Sequence, residues 1–185
     1  MSAQAEVGIV MGSDSDLPVM AEAGAALERF GVAYEAVIAS AHRHPEMVAR
    51  YARGAAEAGL KVIIAGAGGA AHLPGVIASL TALPVIGVPV STPHLGGVDS
   101  LLAIVQMPRG VPVATMAVNG AFNAGLMAVQ ILALENRGLQ EQLVRYRREM
   151  AAQIEEKDER LRRVGFHRYK AGDRVLHPGE ERPPD

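Results

Sequence analysis

No aspartate, glutamate, lysine or arginine interrupts the chain from residue 62 to residue 98, nor again from residue 110 to residue 134. Stretches this long without charge leave two possibilities: they lie in a bilayer, or they fold into elements buried inside a globular protein. The first is broken by Pro74, Pro84, Pro89 and Pro93, by His72 and His94 and by a cluster of glycines, so it reads as strand, loop, short helix, strand and loop. The second changes period at Asn119-Gly120, from strand-like over 111–118 to helix-like over 121–134, and Asn119, Asn123 and Gln130 interrupt what would be a single span. Both are therefore expected in a packed interior and not in a membrane. A helix apolar on almost every side belongs in a core or in a subunit interface, and we expect a homo-oligomer.

Composition narrows the interior further. The 185 residues suffice for one sizeable core. Hydrophobic residues make up 49% but aromatics only 4%, with no tryptophan and 20 glycines, so the apolar mass is Ala, Val, Leu, Ile and Met. Such side chains suit close-packed helices and parallel strands, and they offer no stacking platform for nucleic acid. A net charge of −2 provides no general attraction to polyanions. The absence of cysteine excludes disulfides, thiolate nucleophiles and zinc–thiolate sites. Residues 1–6 carry neither a basic region nor an apolar run of the secretory type, and the expected location is the cytoplasm.

Along the chain, short apolar runs alternate with helical patterns. Strands are expected at 7–11, 32–38, 61–65, 84–88 and 111–118. Helices are expected at 17–30, 45–58, 74–81, 99–107 (with Asp99 as N-cap), 121–134 and 139–164. Regular alternation with short connections means a parallel sheet with helices on both faces. Residues 1–164 read as a single catalytic α/β domain that includes the C-terminal helices, and 165–185 as a polar tail.

The polar chemistry follows the first three strands, at the sheet edge where open α/β folds bind ligands. The first loop, Gly12-Ser13-Asp14-Ser15-Asp16, offers hydroxyls and free N–H groups suited to phosphate, with Asp16 available to ribose hydroxyls. Its plainer reading is that Ser15 or Asp16 simply caps the following helix. In the second, Ser40-Ala41-His42-Arg43-His44-Pro45, the proline keeps His44 out of the α region and leaves His42 and Arg43 on the irregular segment before the helix. Arg43 suits bidentate contact with phosphate or carboxylate, and His42 suits acid–base work; a loop histidine bonded only to backbone is the alternative. The third, Gly66-Ala67-Gly68-Gly69-Ala70-Ala71-His72-Leu73-Pro74, is bare backbone that lets a flat ligand approach closely, unless its glycines serve only strand–helix packing. It matches neither the Rossmann fingerprint nor the Walker loop. The histidines have no HExxH-type spacing, and there is no Gly-x-Ser-x-Gly elbow, which disfavours metal catalysis and serine hydrolysis.

These three loops, in this order, closely resemble the N5-carboxyaminoimidazole ribonucleotide mutase family of purine biosynthesis. Further resemblances are Gly97-Val98-Asp99-Ser100-Leu101-Leu102, the run from Ile104 through Gln106-Met107-Pro108-Arg109-Gly110 to Val113, and Asn123-Ala124-Gly125-Leu126. The resemblance covers roughly residues 7–134. It implies a flavodoxin-like three-layer α/β/α sandwich, a homo-octamer with active sites between subunits, and no metal or organic cofactor. It also implies transfer of a carboxylate from the exocyclic nitrogen of N5-carboxyaminoimidazole ribonucleotide (N5-CAIR) to ring carbon C4, giving CAIR. Carried over by position, His42 is the general acid and base. Ser13 and Arg43 fall at phosphate-binding positions and Asp16 at a ribose-binding one. Ser40, Gly68, Gly69, His72 and Leu73 fall where the family lines its base and carboxylate pocket.

Animal-type relatives carboxylate aminoimidazole ribonucleotide (AIR) directly and resemble Ser-Ala-His-Lys with a different third loop. Arg43 and Ala70-Ala71-His72 put this chain with the mutases. It departs from the pattern at His44, where threonine is more usual, and in its longer terminal segment. The competing readings are a direct AIR carboxylase, a nucleotide-binding module without chemistry, and a metal-dependent lyase.

Overall fold

The structure is a computed structural model that describes residues 4–170. Its centre is a sheet of five parallel strands in the order β2-β1-β3-β4-β5, formed by Val7–Met11 (β1), Tyr34–Ile38 (β2), Val62–Gly68 (β3), Val85–Val90 (β4) and Ala114–Thr115 (β5). Between them run helices Leu17–Arg29 (α1), Pro45–Gly54 (α2), Leu73–Ala78 (α3), Val98–Val105 (α4) and Ala121–Leu132 (α5), followed by Arg137–Val164 (α6). This is the expected α/β architecture. β1 and β4 are buried at every position and β3 at all but its last, which is why these strands are apolar throughout and do not alternate. The chain leaves β1 outward to β2 and returns to β3 on the other side of β1, so the switch point of the sheet lies between β1 and β3.

Only parts of the two uncharged stretches lie in this interior: β3, β4 and one face of α5 are buried, whereas no residue of 110–120 is buried and Leu95, Val98 and Leu134 are exposed, so that expectation is corrected for the segments between the elements. α5 packs its small face (Ala121, Ala124, Gly125, Ala128) against α1 so closely that a Cβ added at Gly125 would lie 2.7 Å from the Ala23 carbonyl oxygen. No described helix is long and apolar enough to cross a membrane.

Three further expectations are corrected. β3 does not stop at residue 65: Gly66, Ala67 and Gly68 continue the ladder opposite Val88, Pro89 and Val90, because glycine and alanine fit where neighbouring side chains crowd the sheet. β5 shrinks from 111–118 to two residues, since Pro112 has no N–H to donate and β4 is its one neighbour. Asp99 is not the N-cap of α4. Gly97, at φ 93°, makes that turn, and the Asp99 carboxylate accepts from Thr92 Oγ1 at 3.3 Å.

Among the described residues the packing divides into two compact units, one up to Gln142 and one from Leu143 onward. The first contains the sheet and every site residue discussed below. The second comprises, among its described residues, the remainder of α6 and the turn to residue 170. There Arg162 pairs with Asp158 at 2.8 Å, Arg160 stacks on Tyr169, and His167 and Arg168 are exposed. The part of the expected tail from residue 171 onward lies outside the described residues.

Candidate active site

The chain enters the site from β1 through a tight 3-10 turn, Asp14–Asp16. Ser13 caps it, with Ser15 N–H donating to Ser13 Oγ at 3.4 Å, and the Asp16 carboxylate accepts from Ser13 N–H at 3.2 Å in return. The reciprocal pair is a capping box. The plainer reading of this loop is thereby corrected, since neither Ser15 nor Asp16 caps α1 with its side chain. Asp16 is only 8% exposed. Burial pushes its carboxyl above the ordinary range, and the N–H groups of Ser13 and Gly12, then the Arg43 guanidinium, pull it part of the way back. The carboxylate accepts the Ser13 N–H on Oδ2 and has further lone pairs with which to accept a ligand hydroxyl.

Arg43 is held at two points. Its Nη2 donates to the Gly12 carbonyl at 2.8 Å, and its Nε donates to Ser40 Oγ at 3.3 Å. Ser40 Oγ also accepts the Arg43 backbone N–H at 3.3 Å. The first and second loops are thus tied together, with the guanidinium fixed at their junction and its remaining N–H groups available to an anion. Pro45 opens α2 as expected, and the half-turn before it presents His42.

His42 Nε2 lies 2.9 Å from His72 Nδ1, the two rings meeting edge to face at 80°. One of the two nitrogens must carry the proton, so the two rings share one hydrogen bond whose direction follows their tautomers. His44, by contrast, turns to Glu46 at 3.7 Å on the surface. Among the described residues no group of acidic or histidine side chains is arranged to hold a metal ion.

These loops enclose a cavity of about 600 Å³. Of the residues singled out from the sequence, Ser13, Asp16, Ser40, His42, Arg43, Gly68 and Leu73 are on its wall. Gly69 and His72 are not on it: the Gly69 N–H donates to Ser100 Oγ, and the exposed His72 meets the cavity through His42. The sequence reading missed the fourth wall, made by Val90, Ser91, Thr92 and Pro93 at the end of β4. The available signal was a Ser-Thr-Pro sequence directly after an apolar run, the same strand-then-polar pattern as in the first three loops. Asn119 holds this wall, its Oδ1 accepting Ser91 N–H at 2.9 Å and its Nδ2 donating to Ser91 Oγ at 3.0 Å. To do so it adopts φ 59°, the one positive φ among described residues other than glycine.

The arrangement can bind an anion at the joined first and second loops, accept hydrogen bonds from a sugar at Asp16, and pass a proton at His42. Comparisons with known proteins give the chain its relatives. The AIR carboxylase family profile matches residues 6–153. The chain is 60% identical over 163 residues to the N5-carboxyaminoimidazole ribonucleotide mutase of Pyrococcus horikoshii, covering 88% of this chain and 92% of that one. It is 55% identical over 163 residues to the protein of the same name from Thermotoga maritima, covering 88% and 95%. Among solved structures it is similar to Treponema denticola PurE, with a TM-score of 0.76 and 27% identity over 84% of this chain and 97% of that one.

Proposed function

The chain belongs to the AIR carboxylase family, and from that premise we propose how its site works. The protein is an N5-CAIR mutase of purine biosynthesis, an isomerase that interconverts N5-CAIR and CAIR. The observation that carries our account of the site is that three loops far apart in sequence close on one cavity with His42 on its wall.

In this account His42, as imidazolium, protonates the exocyclic nitrogen as its bond to the carboxylate breaks, which releases carbon dioxide beside AIR. C4 of AIR then attacks the trapped carbon dioxide, and His42, now neutral, takes the proton from C4 and returns to its starting state. Arg43 and Ser13 hold the phosphate, and Asp16 holds the ribose. The backbone around Gly68 and Gly69, with Ser40, His72 and Leu73, shapes the base and carboxylate pocket. The hydrogen bond between His42 Nε2 and His72 Nδ1 sets which nitrogen of His42 faces the substrate. No ATP, metal or organic cofactor has a part.

Retention of carbon dioxide requires a closed site. In the isolated chain His42 and Arg43 are exposed, and so is an apolar stripe of α4, Val98, Leu102 and Val105, with Leu95 before it. We read these together as surfaces for further copies of the chain, in a homo-octamer whose subunits close one another's sites. The reading includes a cytoplasmic location.

The test is CAIR formation from N5-CAIR with excess EDTA and no ATP, beside AIR plus bicarbonate. Turnover of N5-CAIR is the expected result. Preference for AIR plus bicarbonate replaces the mutase by a direct carboxylase, and no CAIR from either leaves a binding module.

A further inference from the structure

Asp16 and Ser100 are the two buried polar side chains among the described residues. Asp16 belongs to the ligand cavity, but Ser100 does not touch it. Ser100 is fully buried in the first turn of α4, behind the site, and both of its hydrogen-bonding capacities are used. Its hydroxyl donates to the Val90 carbonyl at 2.8 Å and accepts the Gly69 N–H at 2.8 Å.

What it joins explains its presence. The third loop, from Gly68 to Ala71, is glycine and alanine only, so it has no side chain of its own by which to be held. Gly69 sits at φ +65°, and its N–H donates to Ser100 Oγ. From there the backbone is tightly wound. Ala71 N–H donates to the Gly69 carbonyl and His72 N–H to the Ala70 carbonyl, each at 2.8 Å, and His72 meets His42 at 2.9 Å. The other partner, Val90, ends the neighbouring strand β4 and leads into the wall of Ser91 and Thr92. The two walls are close here: a Cβ added at Gly68 would lie 3.4 Å from the Val90 oxygen and from Thr92 Cγ2. One hydroxyl therefore ties the bare third loop to the end of the neighbouring strand β4 and, through three short hydrogen bonds, to the His42–His72 pair.

We infer that Ser100 is a positioning residue that keeps the third loop closed on the pocket and so governs how much of the released carbon dioxide is recaptured at C4. The inference rests on the mutase reading. Without the hydroxyl, the Gly69 N–H and Val90 carbonyl lose their shared partner, and the loop relaxes toward solvent, where those groups find water. The phosphate and ribose contacts, on the first and second loops, are untouched.

The experiment supplies N5-CAIR labelled with 13C in its carboxylate to the full-length enzyme, in excess unlabelled bicarbonate with carbonic anhydrase present. Mass spectrometry then reads the label retained in CAIR, alongside kcat, KM and thermal midpoint. For Ser100→Ala, label retention is expected to fall by about half or more and kcat by about tenfold, with KM within about threefold of wild type. Ser100→Cys, which keeps the volume and a weak donor, is expected to fall between, and it carries the test if the alanine variant does not fold. Wild-type label retention in the folded variants, whatever happens to the thermal midpoint, overturns the inference and leaves Ser100 a structural residue. Failure of the wild-type enzyme to make CAIR from N5-CAIR is visible in its own arm and overturns the mutase reading, and the inference with it.

Discussion

Two glycines of this chain form a matched pair. Gly69, in the third loop, has φ +65°, and Gly31, at the exposed end of α1, has φ +67°; neither has any atom within 4 Å of where a Cβ would stand. Alanine at either position meets no steric neighbour and suffers only the left-handed backbone, at a cost of about 1–2 kcal/mol. About 0.4–1 kcal/mol of that is offset because alanine also restricts the unfolded chain. Each variant should therefore lose about 1 kcal/mol, or roughly 2–4 °C in Tm for a chain of this length. The consequences for turnover should differ. In Gly69→Ala the strain is relieved by moving the loop off Ser100, and a bias of 1–2 kcal/mol tilts that equilibrium by about 5- to 30-fold. kcat should fall several-fold, whereas Gly31→Ala should keep wild-type kcat. Thermal melts and steady-state CAIR formation on the two variants decide the matter. Equal loss of Tm with full activity in both would refute the idea that third-loop position matters to catalysis, and no loss of Tm in either would refute the strain argument itself.

Other consequences are as direct. Because burial raises the Asp16 carboxyl from its ordinary value of 3.8, the folded state holds that proton more tightly than the unfolded state. Stability is accordingly lost as pH rises from 3.8 through the folded value, and the ionised group is a burden at neutral pH. Asp16→Asn, which still accepts from Ser13 N–H, should melt higher than wild type at pH 7, with the gap closing below 3.8, while its KM for N5-CAIR rises. Melting curves across pH check the sign. Arg43→Lys keeps the charge but not the fork fixed between Gly12 and Ser40. Loss of one charge-assisted bond to phosphate, about 1.5–3 kcal/mol, should raise KM by about 10- to 100-fold with a much smaller change in kcat. An unchanged KM would remove Arg43 from the phosphate site.

Much of this was legible in the sequence because two kinds of signal agreed. Continuous apolar runs marked strands buried on both faces, and the polar loops after the first three marked the edge of the sheet that holds the cavity. What was not legible depended on contacts across the fold. The continuation of β3 through Gly66-Ala67-Gly68 was hidden because glycine signals loops until a neighbouring strand is known to cover it. The shortness of β5 reflects its place beside a single strand, which no local pattern states. The capping box at Ser13 and Asp16 replaced a simple cap because a 3-10 turn, one residue tighter than expected, intervenes before α1. His42 and His72, separated by 30 residues, become partners only when the second and third loops share one crevice. Ser100 entered the sequence reading only within the run from Gly97 to Leu102, because its two bonds, to Val90 and Gly69, exist only across the fold.

The central claim is that one imidazole carries the proton for both halves of the reaction while other residues hold the substrate. The most direct measurement compares His42→Asn with wild type in two assays, single-turnover conversion of N5-CAIR and equilibrium binding of CAIR. Conversion should fall by about 100- to 10,000-fold, the scale of a lost general acid–base, with CAIR bound within a few-fold of wild-type affinity. Turnover that survives the substitution, or turnover and binding lost together, would contradict the account.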